Sequence, residues 1–148
     1  MTNNELIKFV IVKIGHQEFG ISVNNIIDII VPQKAFYVPL SRKEVIGSIN
    51  LRGKIVTVLD IRLLLDIDES PANNSKCLIS EHNDELFGFI VDEVGEVNAA
   101  SQDDLVKNPN NFSQLWQEVS MGIYSKENEL IVVLDINKVI DYVVKKAN

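Results

Sequence analysis

Few of the residue types that do chemistry stand at spacings that would let them do it. The chain has two histidines, His16 and His82, and each falls in a predicted hairpin turn. A turn histidine is ordinarily a solvated polar residue. The single cysteine, Cys77, opens the apolar run Lys76-Cys77-Leu78-Ile79, which predicts a buried, inert thiol and excludes an internal disulfide. One Cys with two distant His gives no zinc signature. The adjacent acids Asp92-Glu93 and Asp103-Asp104 read as solvated loop carboxylates, not as an acid/base pair. The seven glycines are scattered, forming neither a phosphate-binding loop nor a nucleophile elbow. A small enzyme or metal protein using His16, His82 and Cys77 is the competing class. The reading favoured is a protein that binds and does not catalyse, with no cofactor and no metal.

The residue best suited to binding is Arg52, within Asn50-Leu51-Arg52-Gly53-Lys54. A planar guanidinium offers five donors, and Arg is among the side chains most favoured at interface hot spots. Its significance comes from a repeat. Phe19-Gly20-Ile21 with Val23 matches Phe87-Gly88-Phe89 with Val91, and the same shift places Asp28 on Glu96. Gly47 through Ile55–Ile61 matches Gly122 through Leu130–Ile136, with a seven-residue expansion between the two blocks. In the second copy, Arg52-Gly53 becomes Glu127-Asn128. Gly and Asn both accept positive φ, so the turn persists where the arginine does not.

The elements that carry these residues are mostly strands. Leu6–Ile14 and Phe19–Val23 flank a turn, and Val45–Asn50 and Ile55–Leu59 flank Arg52-Gly53-Lys54. Asn24 or Asn25 is expected to cap a short helical turn through Ile26, Ile27, Ile29 and Ile30, ended by Pro32. That segment reads equally as a buried helix or, with Asp28, as the lining of a groove. Gly20 and Gly88 inside strands favour close packing over partner contact. Asp60 and Asp135 are predicted N-caps of short helices, with Ile61, Leu64, Leu65 and Ile136, Val139, Ile140, Val143 on their apolar faces. Asp66–Ser75 reads as a linker and Asn98–Ser120 as loop-rich, with Ser101-Gln102-Asp103-Asp104 capping a short helix.

At 148 residues and 46% hydrophobic, the chain suits one domain, but each copy alone is marginal in size, so the two are expected to pack together. The net charge of −7 offers no basic stripe for nucleic acid. The apolar run Phe9–Val12 is short and closed by Lys13, and no stretch reaches a membrane span. A cytosolic protein is expected, without membrane insertion. Short strands with frequent turn signals predict an all-β barrel or sandwich. The duplication predicts two small barrels with a groove between them.

The run from Gly47 to Arg62, Gly47-Ser48-Ile49-Asn50-Leu51-Arg52-Gly53-Lys54-Ile55-Val56-Thr57-Val58-Leu59-Asp60-Ile61-Arg62, resembles the signature of the CheW family of chemotaxis coupling proteins. Glu18-Phe19-Gly20-Ile21, Ile26–Ile29, Phe87–Val94 and Leu130–Ile136 are similar to the same family, in order from about Leu6 to Tyr142. The resemblance implies a mostly β fold of two five-stranded SH3-like barrels around a common core, with a few short helices. It implies one domain over residues 5–145, with subdomains of roughly 5–66 and 75–145 and terminal segments free to cross. The implied function is an adaptor joining the histidine kinase CheA to the cytoplasmic tips of chemoreceptors, recruited to membrane-associated arrays. A twitching or gliding array is the alternative setting. Receptor contact carries over to Ile26, Asp28, Gly47, Asn50, Arg52 and Gly53, with Asp28 shorter than the family's usual Glu. Kinase contact carries over coarsely to Gly88–Val97, represented by Gly88, Val94 and Val97.

Overall fold

Runs of β-branched and aromatic residues broken by turn residues produce ten strands among the described residues. In a computed structural model these are described within residues 6–32, 45–67, 75–107 and 113–146, with residues 145 and 146 described by backbone alone. In chain order they are β1 (Leu6–Ile14), β2 (Gln17–Ser22), β3 (Asp28–Ile30), β4 (Val45–Leu51) and β5 (Lys54–Leu59). After helix α1 (Ile61–Leu65) come β6 (Lys76–His82), β7 (Glu85–Val91) and β8 (Glu93–Ser101). Helix α2 (Gln114–Val119), β9 (Ser120–Lys126), β10 (Glu129–Leu134) and helix α3 (Ile136–Lys146) complete the order.

The strands form two five-stranded sheets, ordered β8-β1-β2-β10-β9 and β3-β6-β7-β5-β4. Each sheet takes strands from both copies. The β1–β2 hairpin lies with β8, β9 and β10, and β6–β7 lies with β3, β4 and β5, so the sheets do not coincide with residues 5–66 and 75–145. The exchange is reciprocal and its registers repeat. Parallel pairing sets Val132 against Phe19 in one sheet and Thr57 against Phe87 in the other, which are equivalent positions of the two copies.

A common core lies between the sheets. Phe19 and Ile21 of one meet Phe87, Phe89 and Val91 of the other, sealed by Leu64 and Leu65 of α1 and Val139, Ile140 and Val143 of α3. Each sheet also encloses a small cluster of its own, Phe9 with Ala100 and Ile131 in the first and Cys77 with Val56, Ile79 and Ile90 in the second. Gly20 and Gly88 are explained here. A Cβ on Gly20 would stand 2.7 Å from Phe9 Cδ2, and one on Gly88 would stand 2.7 Å from Cys77 Sγ.

The predicted caps form. Asp60 Oδ1 accepts from the Arg62 backbone N–H at 3.0 Å, and Asp135 Oδ1 accepts from that of Asn137 at 3.1 Å. Two expectations are corrected. The isoleucines after Asn25 are not helical: a 3₁₀ turn over Val23–Asn25 leads into extended β3, paired antiparallel with β6. Ile27 N–H donates to the Ile79 carbonyl at 2.8 Å, and β-branched residues fit that pleated edge better than a helix. The described parts of Asn98–Ser120 are more ordered than loop-rich, whereas most of the expected linker Asp66–Ser75 lies outside the described residues. The former hold the end of β8, a Ser101–Asp104 capping box and α2, capped by Ser113.

Candidate functional site

The β4–β5 hairpin turns through two residues with left-handed backbone, Arg52 at φ 52° and Gly53 at φ 83°. A non-glycine residue there is strained unless something holds it. Asn50 supplies the hold, its Oδ1 accepting from the Gly53 N–H at 2.9 Å. The turn thrusts Arg52 outward, its side chain 81% exposed, with Nη2 3.4 Å from Asp28 Oδ2. Because β3 and β4 are the two edges of their sheet, this pair spans the gap between them. Exposed Ile27, Ile29 and Val31 continue along the β3 edge, and Ile46 lies on β4. On the hairpin's other flank a groove of ≈ 650 Å³ runs from Gly53, Lys54 and Ile55 to Glu81, Asp84 and Glu85.

The structure thus brings together Asp28, Asn50, Arg52 and Gly53. It gives the other expected positions different places. Ile26 is half-buried against the common core, and Gly47 is buried at a register shift in β4. Gly88 is buried beneath Cys77, Val94 is half-buried against the common core, and Val97 is exposed on β8. Of the three positions proposed to face a kinase, Val97 alone is turned fully outward.

The chemistry-bearing residues dismissed from sequence fare unequally. Burial pushes the Cys77 thiol up to about 11, which suits an inert core thiol. His16 is exposed in the β1–β2 turn. His82 ends β6 and is not a solvated turn residue. Its Nδ1 lies 2.9 Å from Asn137 Oδ1 and its Nε2 lies 2.8 Å from Asp141 Oδ1, tying β6 to α3. Asp92 is likewise not a solvated loop acid but is 7% exposed, and its carboxylate meets the guanidinium of Arg62, 2% exposed, on α1. Sequence reasoning passed over this pair. A signal existed in the repeat: Arg62 is replaced by Asn137 and Asp92 by Asn24, so both charges are present in one copy and absent from the other.

Among the described residues no group of three or more His, Cys, Asp or Glu is placed to hold a metal ion, and no helix is long and apolar enough to cross a membrane. The arrangement suits recognition by an exposed cation on a rigid turn.

Comparison with known proteins identifies the family. The CheW-like domain profile matches residues 8–144. The chain is 31% identical over 134 residues to the chemotaxis protein CheW of Thermotoga maritima, covering 90% of this chain and 87% of that one. It is 27% identical over 139 residues to the chemotaxis protein CheW of Helicobacter pylori, covering 93% and 84%. The crystal structure of the scaffolding protein TtCheW from Thermoanaerobacter tengcongensis superposes with a TM-score of 0.79 at 22% identity, over 89% of this chain and 86% of that one, which establishes the shared fold. With a duplicated β fold, an arginine-tipped hairpin and a profile match over nearly its whole length, the chain belongs to the CheW-like domain family, the non-catalytic adaptor scaffolds of chemotaxis.

Proposed function

We propose that this scaffold couples the cytoplasmic tips of chemoreceptors to a CheA-type histidine kinase, and that it is recruited through them to membrane-associated arrays. The Arg52 hairpin with Asp28 is the receptor-facing surface, and β8 around Val97 is the kinase-facing one. The observation that carries this reading is the contrast between two equivalent turns. Both fold with the same left-handed pair, yet only the first displays an arginine. Shape does not demand Arg52, and its 81% exposure leaves it open to an acidic partner. Asn50 and Gly53 serve by presenting it, and Gly47 and Ile26 by shaping the strands behind it. Control of the kinase then needs no chemistry, only different affinities for two arrangements of the assembly.

The test is a titration with the regulatory domain of a co-encoded CheA-like kinase and, separately, with a receptor cytoplasmic tip. A hot-spot arginine is worth 2 kcal/mol or more, so Arg52→Ala weakens receptor binding by about thirtyfold or more. Kinase binding is unchanged by it. Glu127→Ala, at the equivalent turn, leaves receptor binding as it was. Receptor binding indifferent to Arg52 would overturn the assignment of this face.

A further inference from the structure

We infer that Arg62 and Asp92 are positioning residues that join the Arg52 hairpin to β8, so that a load on one interface reaches the other. The coupling role rests on the function proposed above; the joint itself does not.

The connection can be followed atom by atom. Strand β5 descends from the hairpin tip to Asp60, which caps α1 through the Arg62 N–H. The Arg62 guanidinium projects from this first turn onto Asp92 Oδ1, with Nη1 4.0 Å from Asp60 Oδ1. Asp92 occupies the single position between β7 and β8, where the chain leaves one sheet for the other. Its Oδ2 accepts from the Gly15 N–H at 2.6 Å, and its own N–H donates to the Lys13 carbonyl at 2.7 Å. One carboxylate therefore ties α1, the β1–β2 turn and the entry to β8.

The joint is not a requirement of the fold. A buried ion pair is weak evidence for stability, because desolvation offsets much of the attraction. Here Arg62 Nε and Nη1 are buried with no hydrogen-bond partner among the described residues, which deepens that cost. The molecule also contains its own control. At the reciprocal crossover, from β2 to β3, Asn24 stands where Asp92 does and Asn137 where Arg62 does, and both are exposed. The same crossing is made there without a charge. The charged version occurs only where α1, which follows the receptor-facing hairpin, reaches the entry to the strand assigned to the kinase. Embedded in low dielectric, such a pair resists both salt and stretching, as a transmitting joint must.

The test uses the full chain with Arg62→Met and Asp92→Asn together. The asparagine keeps an acceptor for the Gly15 N–H, and the methionine fills the space of the arginine stem, so the fold survives without the charges. Native-state hydrogen exchange reads the joint directly. In the double variant the amides between Val94 and Val97 exchange about tenfold faster, while Asn24→Ala leaves them unchanged. Titrations read the coupling. Each partner still binds alone, but the change in kinase-domain affinity brought by the receptor tip, on the order of tenfold in the parent, disappears. Unaltered β8 exchange would overturn the joint, and coupling retained in the double variant would overturn its role. A parent protein that binds neither partner overturns the adaptor reading and the coupling with it, whereas the exchange data still decide the joint.

Discussion

The two hairpin tips solve one structural problem with different chemistry. At β4–β5 the left-handed pair is Arg52 and Gly53; at β9–β10 it is Glu127 and Asn128, with φ of 48° and 68°. Each tip sets a cation against an acid on the opposite edge strand of its sheet, Arg52 against Asp28 and Lys126 against Glu96. At the second tip the cation is used up by the fold. Lys126 contacts Glu96 and, at 3.0 Å, Asn98 Oδ1, and its side chain is only 28% exposed. Their mutual hydrogen bond draws the Glu96 carboxyl below its ordinary range and raises the Lys126 ammonium. At the first tip the cation is loosely held, far more exposed, and turned outward. Closing the sheet needs a cation facing an acid; display to a partner needs one left mostly unspent.

The same comparison at the two sheet-to-sheet crossovers predicts the largest effect. Asp92→Ala leaves the Arg62 guanidinium buried and unpaired, a loss of about 3–5 kcal/mol. Asn24→Ala at the equivalent exposed position costs less than about 0.5 kcal/mol. Urea unfolding separates the midpoints of the two variants by about 2 M. Similar costs would mean that the crossovers are energetically alike and that the buried charges add nothing.

The paired glycines come next. Gly20→Ala drives a Cβ into the Phe9 ring, and Gly88→Ala drives one into the Cys77 thiol, both at 2.7 Å. Overpacking of this kind costs about 1–3 kcal/mol. The sites differ in how they can be relieved. Cys77 ends in one sulfur atom, so Cys77→Ala should recover most of the Gly88→Ala loss in a double-mutant cycle. It should leave the Gly20→Ala loss untouched. Additive losses at Gly88 and Cys77 would remove the packing explanation for the repeated glycine.

Much of this was legible in the sequence because duplication magnifies weak signals. Gly20 and Gly88, the Asp60 and Asp135 caps, and the Gly53 and Asn128 turns each occur twice. Three things were not legible, for physical reasons. Periodicity reports which face of a strand is buried but not which neighbour buries it, so β1–β2 reads the same whether it pairs at home or across the repeat. The isoleucines around Asp28 form a strand of three residues, too short to show alternation, and their helix-like spacing was misleading. Arg62 was hidden because an arginine beside apolar helix positions ordinarily reaches solvent, and only the tertiary fold supplies Asp92.

A smaller effect separates the tips themselves. Asn50→Ala removes the Oδ1 acceptor of the Gly53 N–H, an exposed hydrogen bond worth about 1 kcal/mol or less. Ser125, in the equivalent place, should tolerate alanine with almost no loss. The informative readout is receptor-tip affinity, which Asn50→Ala weakens without altering kinase-domain affinity. If only stability changes, the turn geometry matters to the fold and not to the display of Arg52.

The smallest expected effect lies where the two sheets differ in charge along their parallel strand pair. In the first sheet Glu18 on β2 hydrogen-bonds Glu129 on β10; the equivalent positions in the second are Leu86 and Lys54. Partial burial, then the charge and hydrogen bond of Glu129, raise the Glu18 carboxyl above its ordinary range, with Lys13 and Lys126 opposing. The folded chain therefore holds this proton more tightly than the unfolded one. Its stabilising contribution is complete below the unfolded carboxylate range and is lost as pH rises through the folded value. At neutral pH the ionised pair is a liability, so Glu18→Gln is more stable there. Solvent screening limits the gain to a few tenths of a kcal/mol, and added salt shrinks it further. The gain vanishes in acid, where the parent is protonated too. Leu86→Gln in the second sheet has no carboxylate to relieve and shows no such pH dependence. A Glu18→Gln advantage that persisted unchanged into acid would mean that packing, and not charge, distinguishes the two sheets at this position.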